Sequence, residues 1–118
     1  MPAETLNAIF AALAHPARRS ILARLSRGQA GVLELAKPLK MSLPAVSRHI
    51  KVLERSGLIA RGRNAQSRPC SLNVKPLTEA EAWIEAQRKD WGDRLDRLDQ
   101  YLQELQKKTK ENHNDRKS

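Results

Sequence analysis

One stretch of the chain, residues 41–59, carries a start signal, an apolar stripe and a stop signal for a single helix. Ser42 can accept hydrogen bonds from the free backbone N–H groups of a first helical turn, and Pro44 is tolerated in that turn. Gly57 can adopt the left-handed backbone that ends a helix. The apolar positions that recur between them at helical spacing are Val46, Ile50 and Leu53. These signals predict a helix from about Leu43 to Ser56 with one buried face.

The face opposite this apolar stripe is cationic and carries short hydrogen-bonding side chains. It consists of Pro44, Ser47, Arg48, Lys51 and Arg55. A solvated helix surface usually mixes charges of both signs, whereas here only Glu54 offsets the positive charges. Taken by itself, this face leaves two interpretations open, an ordinary solvated surface and a surface that binds a polyanion.

The charge of the whole chain favours the second interpretation. The formal net charge is +9 and the sequence pI is about 10.3, which favours nucleic acid or an anionic membrane surface as partner. Up to Thr78 the chain has 13 lysine or arginine residues against 3 acidic ones, whereas from Glu79 to Lys108 it has 6 against 8. A basic module is therefore followed by a mildly acidic one.

Nothing in the sequence predicts a membrane span or a disulfide. The longest apolar run, Ala8 to Ala14, is far shorter than the roughly 18 residues that cross a bilayer, and no secretory signal opens the chain. Cys70 is the only cysteine, which agrees with a reducing compartment. We expect a cytoplasmic protein of one domain, residues 1–108, with a polar, disordered end over residues 109–118.

Three more helices are predicted before Leu43. The first is amphipathic over residues 4–14 and ends ahead of Pro16, because the residue before a proline is disfavoured in helical conformation. The second starts at Pro16 and runs to Gly28, and the third is short, Val32 to Lys37. Only a tight turn separates the third helix from the one at Leu43, so the pair forms a helix-turn-helix whose second helix is the natural probe.

After that helix the pattern changes to a β-hairpin. Leu58–Arg61 and Cys70–Val74 have strand character, with a polar tip between them, and Cys70, Leu72 and Val74 are expected on one buried face. All charged residues from the first strand to the end of the hairpin are basic: Arg61, Arg63, Arg68 and Lys75. A purely cationic hairpin directly after a cationic helix favours a phosphate backbone as its partner.

A long helix is predicted over residues 79–108, with Thr78 as its N-cap. Its apolar residues follow a heptad seam interrupted only at the Gln87–Arg88 step. The seam consists of Ile84, Trp91, Leu95, Leu98, Leu102 and Leu105. At roughly 33 Å it is longer than one small domain can cover, so a second copy of the chain is the simplest cover. The N-terminal helix would assist through Leu6, Ile9, Phe10 and Leu13. The alternative is a long helix that folds back on its own domain.

Four segments of this pattern together are specific. They are Leu13–Leu22, Val46–Leu53, Gly57–Ile59 and Arg63–Leu72. With the order of the elements, they make the chain, from roughly Thr5 to Leu105, resemble the ArsR/SmtB family of winged helix-turn-helix transcriptional regulators. The resemblance implies a mainly α fold with a small β-hairpin (α+β), in which residues 16–75 bind DNA and helices 4–14 and 79–108 dimerise. It also implies a homodimeric repressor of a palindromic operator.

Two groups of residues are then expected to contact DNA. The probe helix would use Ser42, Pro44, Ser47, Arg48, His49 and Lys51, and the wing would use Arg61, Arg63, Gln66 and Arg68. A two-fold dimer sets its probe helices in successive major grooves, which predicts an inverted repeat with half-sites about one helical turn apart. Ser42, Ser47 and Arg48 are placed to reach base edges, and Arg48 can hold a guanine bidentately. For His49, packing or a phosphate contact is favoured over base reading. For Arg18 and Arg19, phosphate contacts and solvated charge both stay open.

The metal sites of the family are not expected here. One uses a cysteine pair in the third helix, and Val32–Ala36 has no cysteine; the other uses histidine ligands on the last helix, and Glu79–Lys108 has no histidine. We predict no metal and no cofactor, and the effector is unassigned. Cys70 is interpreted as a small buried apolar residue in preference to a redox sensor.

Two other classes of protein were weighed against a DNA-binding regulator. An enzyme is not predicted, because Ser47 and His49 point to different faces of one helix, and no carboxylate orients the histidine. The remaining alternative is a sequence-neutral module that organises the chromosome or binds RNA, or a dimeric adaptor that holds a protein partner through its long helix.

Overall fold

A computed structural model describes residues 3–63 and 68–117, with the side chains of the last stretch described up to residue 111. Its elements follow the predicted order. They are α1 (Ala3–Leu13), α2 (Pro16–Leu25), α3 (Val32–Ala36), a 3₁₀ turn (Lys37–Leu39), α4 (Leu43–Arg55), β1 (Ile59–Arg61), β2 (Cys70–Leu72) and α5 (Lys75–Lys117). The predicted mainly α fold with a small β-hairpin is confirmed.

The described residues divide into two units, one that ends at Glu81 and one that begins at Ala82. The first unit has an apolar core to which α2, α3, α4 and the hairpin all contribute. The residues of this core are Ala12, Ile21, Leu22, Leu25, Ala30, Leu35, Val46, Ile50, Leu53, Leu58, Ile59 and Cys70. The second unit is the remainder of α5, a helix with apolar residues along one face.

Helix α4 begins and ends as its sequence predicts. The Ser42 hydroxyl accepts a hydrogen bond from the Ala45 N–H at 3.3 Å. At the other end Gly57 has a φ of 82°, in the left-handed region. Two 3.0 Å hydrogen bonds close this end, from the Gly57 N–H to the Glu54 carbonyl and from the Leu58 N–H to the Leu53 carbonyl. This is the Schellman arrangement, and it turns the chain directly into the hairpin.

The hairpin contains a contact that the sequence analysis did not anticipate. Strands β1 and β2 pair antiparallel, with Ile59 opposite Leu72 and Arg61 opposite Cys70. On its other side, Cys70 forms an isolated bridge with Ala30, through two backbone hydrogen bonds of 2.8 and 3.1 Å. The hairpin is thereby fastened to the segment between α2 and α3.

The predicted apolar face of the second strand is only partly correct. Cys70 is fully buried and Leu72 packs against the core, as expected. Val74 is 60% exposed, so its place on the buried face was wrong. The reason is that β2 ends at Leu72, and the alternation of a strand does not extend to Val74.

Helix α5 has different bounds from those predicted. It starts at Lys75, and Thr78 lies inside its first turns, where its hydroxyl donates to the Val74 carbonyl at 3.2 Å. Thr78 is therefore not the N-cap; the Asn73 side chain accepts from the Lys75 N–H at 3.4 Å instead. The helix continues to Lys117, past the end expected near Lys108 and through the stretch expected to be disordered. Lysine and glutamate, both good helix formers, favour this continuation.

Ile9 requires a correction at the other end of the chain. It was predicted for the dimer interface, but it is fully buried within the single chain. The other three residues predicted there, Leu6, Phe10 and Leu13, are half-buried. Among the described residues, no helix combines the length and the apolar character needed to cross a bilayer.

Candidate nucleic-acid interface

The orientation of α4 is fixed by its apolar stripe. Val46, Ile50 and Leu53 are each at most 1% exposed, which places one face of the helix firmly in the core. The opposite face is exposed and carries Pro44, Arg48, Lys51 and Arg55. Ser47 lies at the edge of this face and is half-buried. The burial of one stripe thus determines which side chains the helix presents to a partner.

The three cations of this face are not neutralised by protein carboxylates. In the part of the chain that the structure describes, the ion pairs are Arg24–Glu34, Arg88–Glu85 and Arg94–Asp90. Arg48, Lys51 and Arg55 take part in none of them. An exposed positive face without internal partners is suited to a polyanion, because its charges need not be released from the protein first.

Ser42 has two roles that are compatible. Its oxygen accepts the capping hydrogen bond from Ala45, while its own hydroxyl proton stays available as a donor. The cap holds this hydroxyl at the first turn of α4. A recognition helix presents its N-terminal residues to base edges, so the predicted contribution of Ser42 to such contacts fits the cap geometry.

His49 belongs to a cluster that joins α2 to α4. Its ring centroid lies 4.3 Å from that of His15. An Arg18 Nη1 atom lies 3.2 Å from the Nδ1 of His49, and since a guanidinium can only donate, this Nδ1 accepts. Desolvation by burial lowers the pKa of His49, and His15, Arg18 and Arg48 lower it further by charge repulsion. The packing role expected for His49 is the one this geometry supports.

Arg18 and Arg19 correspond to neither role considered for them. Arg18 donates to the carbonyls of Ala12 and Ala11, at 2.8 and 3.0 Å. Arg19 donates to the carbonyl of Leu13 at 2.7 Å. The two side chains therefore satisfy free carbonyls at the C-terminal end of α1, where a helix dipole also favours cations.

The wing arginines divide into one that is held and two that are exposed. Arg61 is half-buried and donates from Nη2 to the Arg68 carbonyl at 3.2 Å, so its guanidinium braces the hairpin. Its predicted role as a free DNA contact is corrected accordingly. The side chains of Arg63 and Arg68 are exposed. Gln66, also predicted for the wing, lies outside the described residues.

Cys70 lies under this hairpin as a packing residue. Burial raises the pKa of its thiol, an effect that the neighbouring Arg61 guanidinium opposes. A protonated, fully buried thiol is a poor nucleophile, in agreement with its interpretation as a small apolar residue. Within the described residues, no group of three or more histidine, cysteine or acidic side chains is arranged to hold a metal ion.

The second unit presents the predicted apolar seam. Its six residues are all exposed in the single chain, by 41 to 65%. They are Ile84, Trp91, Leu95, Leu98, Leu102 and Leu105. Single exposed apolar residues are ordinary on protein surfaces, but a continuous row along one helix face marks an interaction surface.

Comparison with known sequences identifies relatives of this arrangement. A family model described as a helix-turn-helix domain matches residues 13–61. The transcriptional repressor SdpR of Bacillus subtilis (strain 168) is 30% identical over 79 residues, which are 67% of this chain and 88% of that protein. The HTH-type transcriptional regulator Rv2034 of Mycobacterium tuberculosis is 50% identical over 48 residues, or 41% of this chain and 45% of that protein.

Solved structures agree with these relatives. The crystal structure of an ArsR family transcriptional regulator has a TM-score of 0.74 at 47% identity, covering 78% of this chain and 95% of that one. An ArsR-like regulator from Rhodococcus sp. RHA1 has a TM-score of 0.73 at 26% identity, covering 82% and 92%. A homodimeric winged helix-turn-helix DNA-binding domain from Mycobacterium bovis has a TM-score of 0.58 at 20% identity, a likeness of fold, covering 77% and 84%.

Proposed function

Because the chain belongs to the ArsR family of winged helix-turn-helix transcriptional regulators, which bind DNA and are not enzymes, we propose that it is a homodimeric repressor of an inverted-repeat operator. Two copies would each insert α4 into the major groove. The dyad of the protein would then be matched by a dyad in the DNA, with half-sites about one helical turn apart.

The observation that carries this proposal is the unpaired cationic face of α4. Arg48 extends from the middle of the exposed face, and its planar guanidinium matches the O6 and N7 acceptors of guanine. The Ser42 and Ser47 hydroxyls lie within the first turns of the same helix and supply short hydrogen-bonding groups. Pro44 and Lys51 share the exposed face, where Lys51 is suited to phosphate contacts.

The wing and the core have supporting roles in this proposal. Arg63 and Arg68 would neutralise phosphates beside the groove that α4 enters. His49 would hold α4 against α2 through Arg18 and take no direct part in reading bases. The hairpin is braced by Arg61 and tied to the core at Cys70, which gives its exposed arginines a fixed base.

The second copy is proposed from the seam of α5. Six exposed apolar residues in a row lose free energy in water, and each buried leucine side chain is worth about 1.5–3 kcal/mol. An identical seam on another copy is a self-complementary cover, with half-buried Leu6, Phe10 and Leu13 of α1 adding to the joint.

Selection from a random duplex library, followed by competition, tests the function. We expect one enriched sequence with dyad symmetry, and we expect unlabelled operator to displace a labelled operator far better than random DNA does at physiological salt. Equal displacement by random DNA would reject the repressor and favour a sequence-neutral architectural protein.

A pair of arginine variants separates base reading from charge. Arg48→Ala should abolish the preference among operator variants, with each lost guanine contact worth about 1–3 kcal/mol of discrimination. Arg97→Ala removes the same charge from an exposed position of the second unit and should leave the preference unchanged. A preference that survives Arg48→Ala would exclude Arg48 from base reading.

A further inference from the structure

Leu43 is an exposed apolar residue at the start of α4. It is the first residue of the helix, and 47% of its surface is accessible to water. It lies outside the core cluster to which α4 contributes Val46, Ile50 and Leu53. A large apolar side chain at such a position is not explained by the packing of the protein.

The start of α4 does not depend on Leu43 either. The Ser42 hydroxyl caps the helix. Met41, two residues before Leu43, packs against the core that contains Val46. An apolar residue before the cap that contacts one at the fourth helical position is a hydrophobic staple, which already fixes how the chain enters the helix. Leu43 is thus available for a partner.

The position of Leu43 relates it to the polar residues of the proposed interface. Residues four apart lie one above the other on a helix, so Leu43 shares an edge of α4 with Ser47. It is also adjacent to exposed Pro44. The N-terminal residues of a recognition helix are the ones that reach base edges.

One chemical group in the major groove is apolar, the C5-methyl group of thymine. We propose that Leu43 contacts a thymine methyl group in each half-site and is a specificity-determining residue. The inference rests on the proposed function, because it needs α4 to enter the major groove. It goes further by naming a base that the polar residues of α4 do not select: Arg48 is suited to guanine, and serine hydroxyls accept several bases.

The test replaces single thymines of the selected operator by deoxyuridine, which removes only the methyl group. The wild-type protein should lose about fourfold in affinity at one thymine per half-site, the value of one buried methyl-sized group, and about fifteenfold when both half-sites are changed. Leu43→Ala should bind the thymine operator more weakly and lose nothing further on the deoxyuridine operator. Leu43→Gln keeps the length of the side chain and serves as a second variant, with thermal melts to verify folding.

Leu33→Ala is the matched control. Leu33 is another exposed leucine, on α3, and its truncation should leave the wild-type response to deoxyuridine unchanged. The proposal is overturned if both Leu43 variants keep the wild-type loss at every thymine, or if no thymine of a selected operator gives the loss. If the protein selects no sequence at all, the proposed function fails and this inference fails with it.

Discussion

Leu98→Asp places a carboxylate in the middle of the apolar seam of α5. In the proposed dimer, the seams of two copies cover one another, so both Leu98 side chains become buried. The variant removes apolar contact from each copy and adds a charge that has no cation designed to meet it. We therefore expect it to separate the dimer while the first unit stays folded, since Leu98 lies in the second unit.

The size of the effect follows from the exposure of Leu98. It is 52% exposed in the single chain, and full burial of a leucine side chain is worth about 1.5–3 kcal/mol. Covering the exposed half contributes about 0.8–1.5 kcal/mol per copy, or about 1.5–3 kcal/mol for the pair. The loss of apolar contact therefore raises the dimer dissociation constant by about 10- to 100-fold. Burial of unpaired carboxylates costs several kcal/mol more, so the total increase is larger.

Sedimentation equilibrium over a series of protein concentrations measures this dissociation constant. Gln100→Asp is the control, because it makes the same charge change two residues further along, about 200° around the helix from Leu98. We expect Gln100→Asp to sediment like the wild type and Leu98→Asp to sediment as a monomer. If Leu98→Asp dimerises as tightly as Gln100→Asp, the seam is not the interface.

Three further predictions concern the arginines and His49. Arg18→Ala removes three hydrogen bonds that join α1, α2 and α4 and should lower the free energy of unfolding in urea by about 2 kcal/mol, whereas Arg19→Ala removes one exposed bond and should cost about 0.5–1 kcal/mol; equal losses would contradict this assignment. Because the pKa of His49 is lowered in the folded state, the unfolded chain takes up this proton first. Stability should therefore fall as the pH drops below about 6.5, and His49→Gln should flatten that fall in thermal melts; an unchanged slope would speak against it. Arg63→Ala and Arg68→Ala should each weaken binding to all DNA sequences alike and reduce the slope of log affinity against log salt by about 0.9; a sequence-dependent loss would be inconsistent with phosphate contacts.

The features that sequence predicted well are local ones. The spacing of Val46, Ile50 and Leu53 determines which face of α4 is buried, and the conformational freedom of Gly57 determines where the helix ends. Both depend on residues within a few turns of one another, so the residue pattern contains the information. The exposed cationic face of α4 follows from the same periodicity.

Contacts between distant parts of the chain were missed. Ala30 pairs with Cys70, and Arg18 reaches His49, across separations that no local pattern encodes. His15 gave one usable signal, since its side chain caps α2 by accepting from the Ala17 N–H at 3.1 Å, a role open to a residue directly before a helix-starting proline. Amphipathic spacing also identified Ile9 as apolar and inward-facing, but it could not distinguish the core of one chain from the interface of two.

Hydroxyl-radical footprinting of the protein on its selected operator tests the central claim most directly. Two copies that present α4 and the wing to neighbouring turns of duplex should protect two blocks of backbone, related by a dyad and centred about 10 base pairs apart. A single protected block without dyad symmetry would contradict the account.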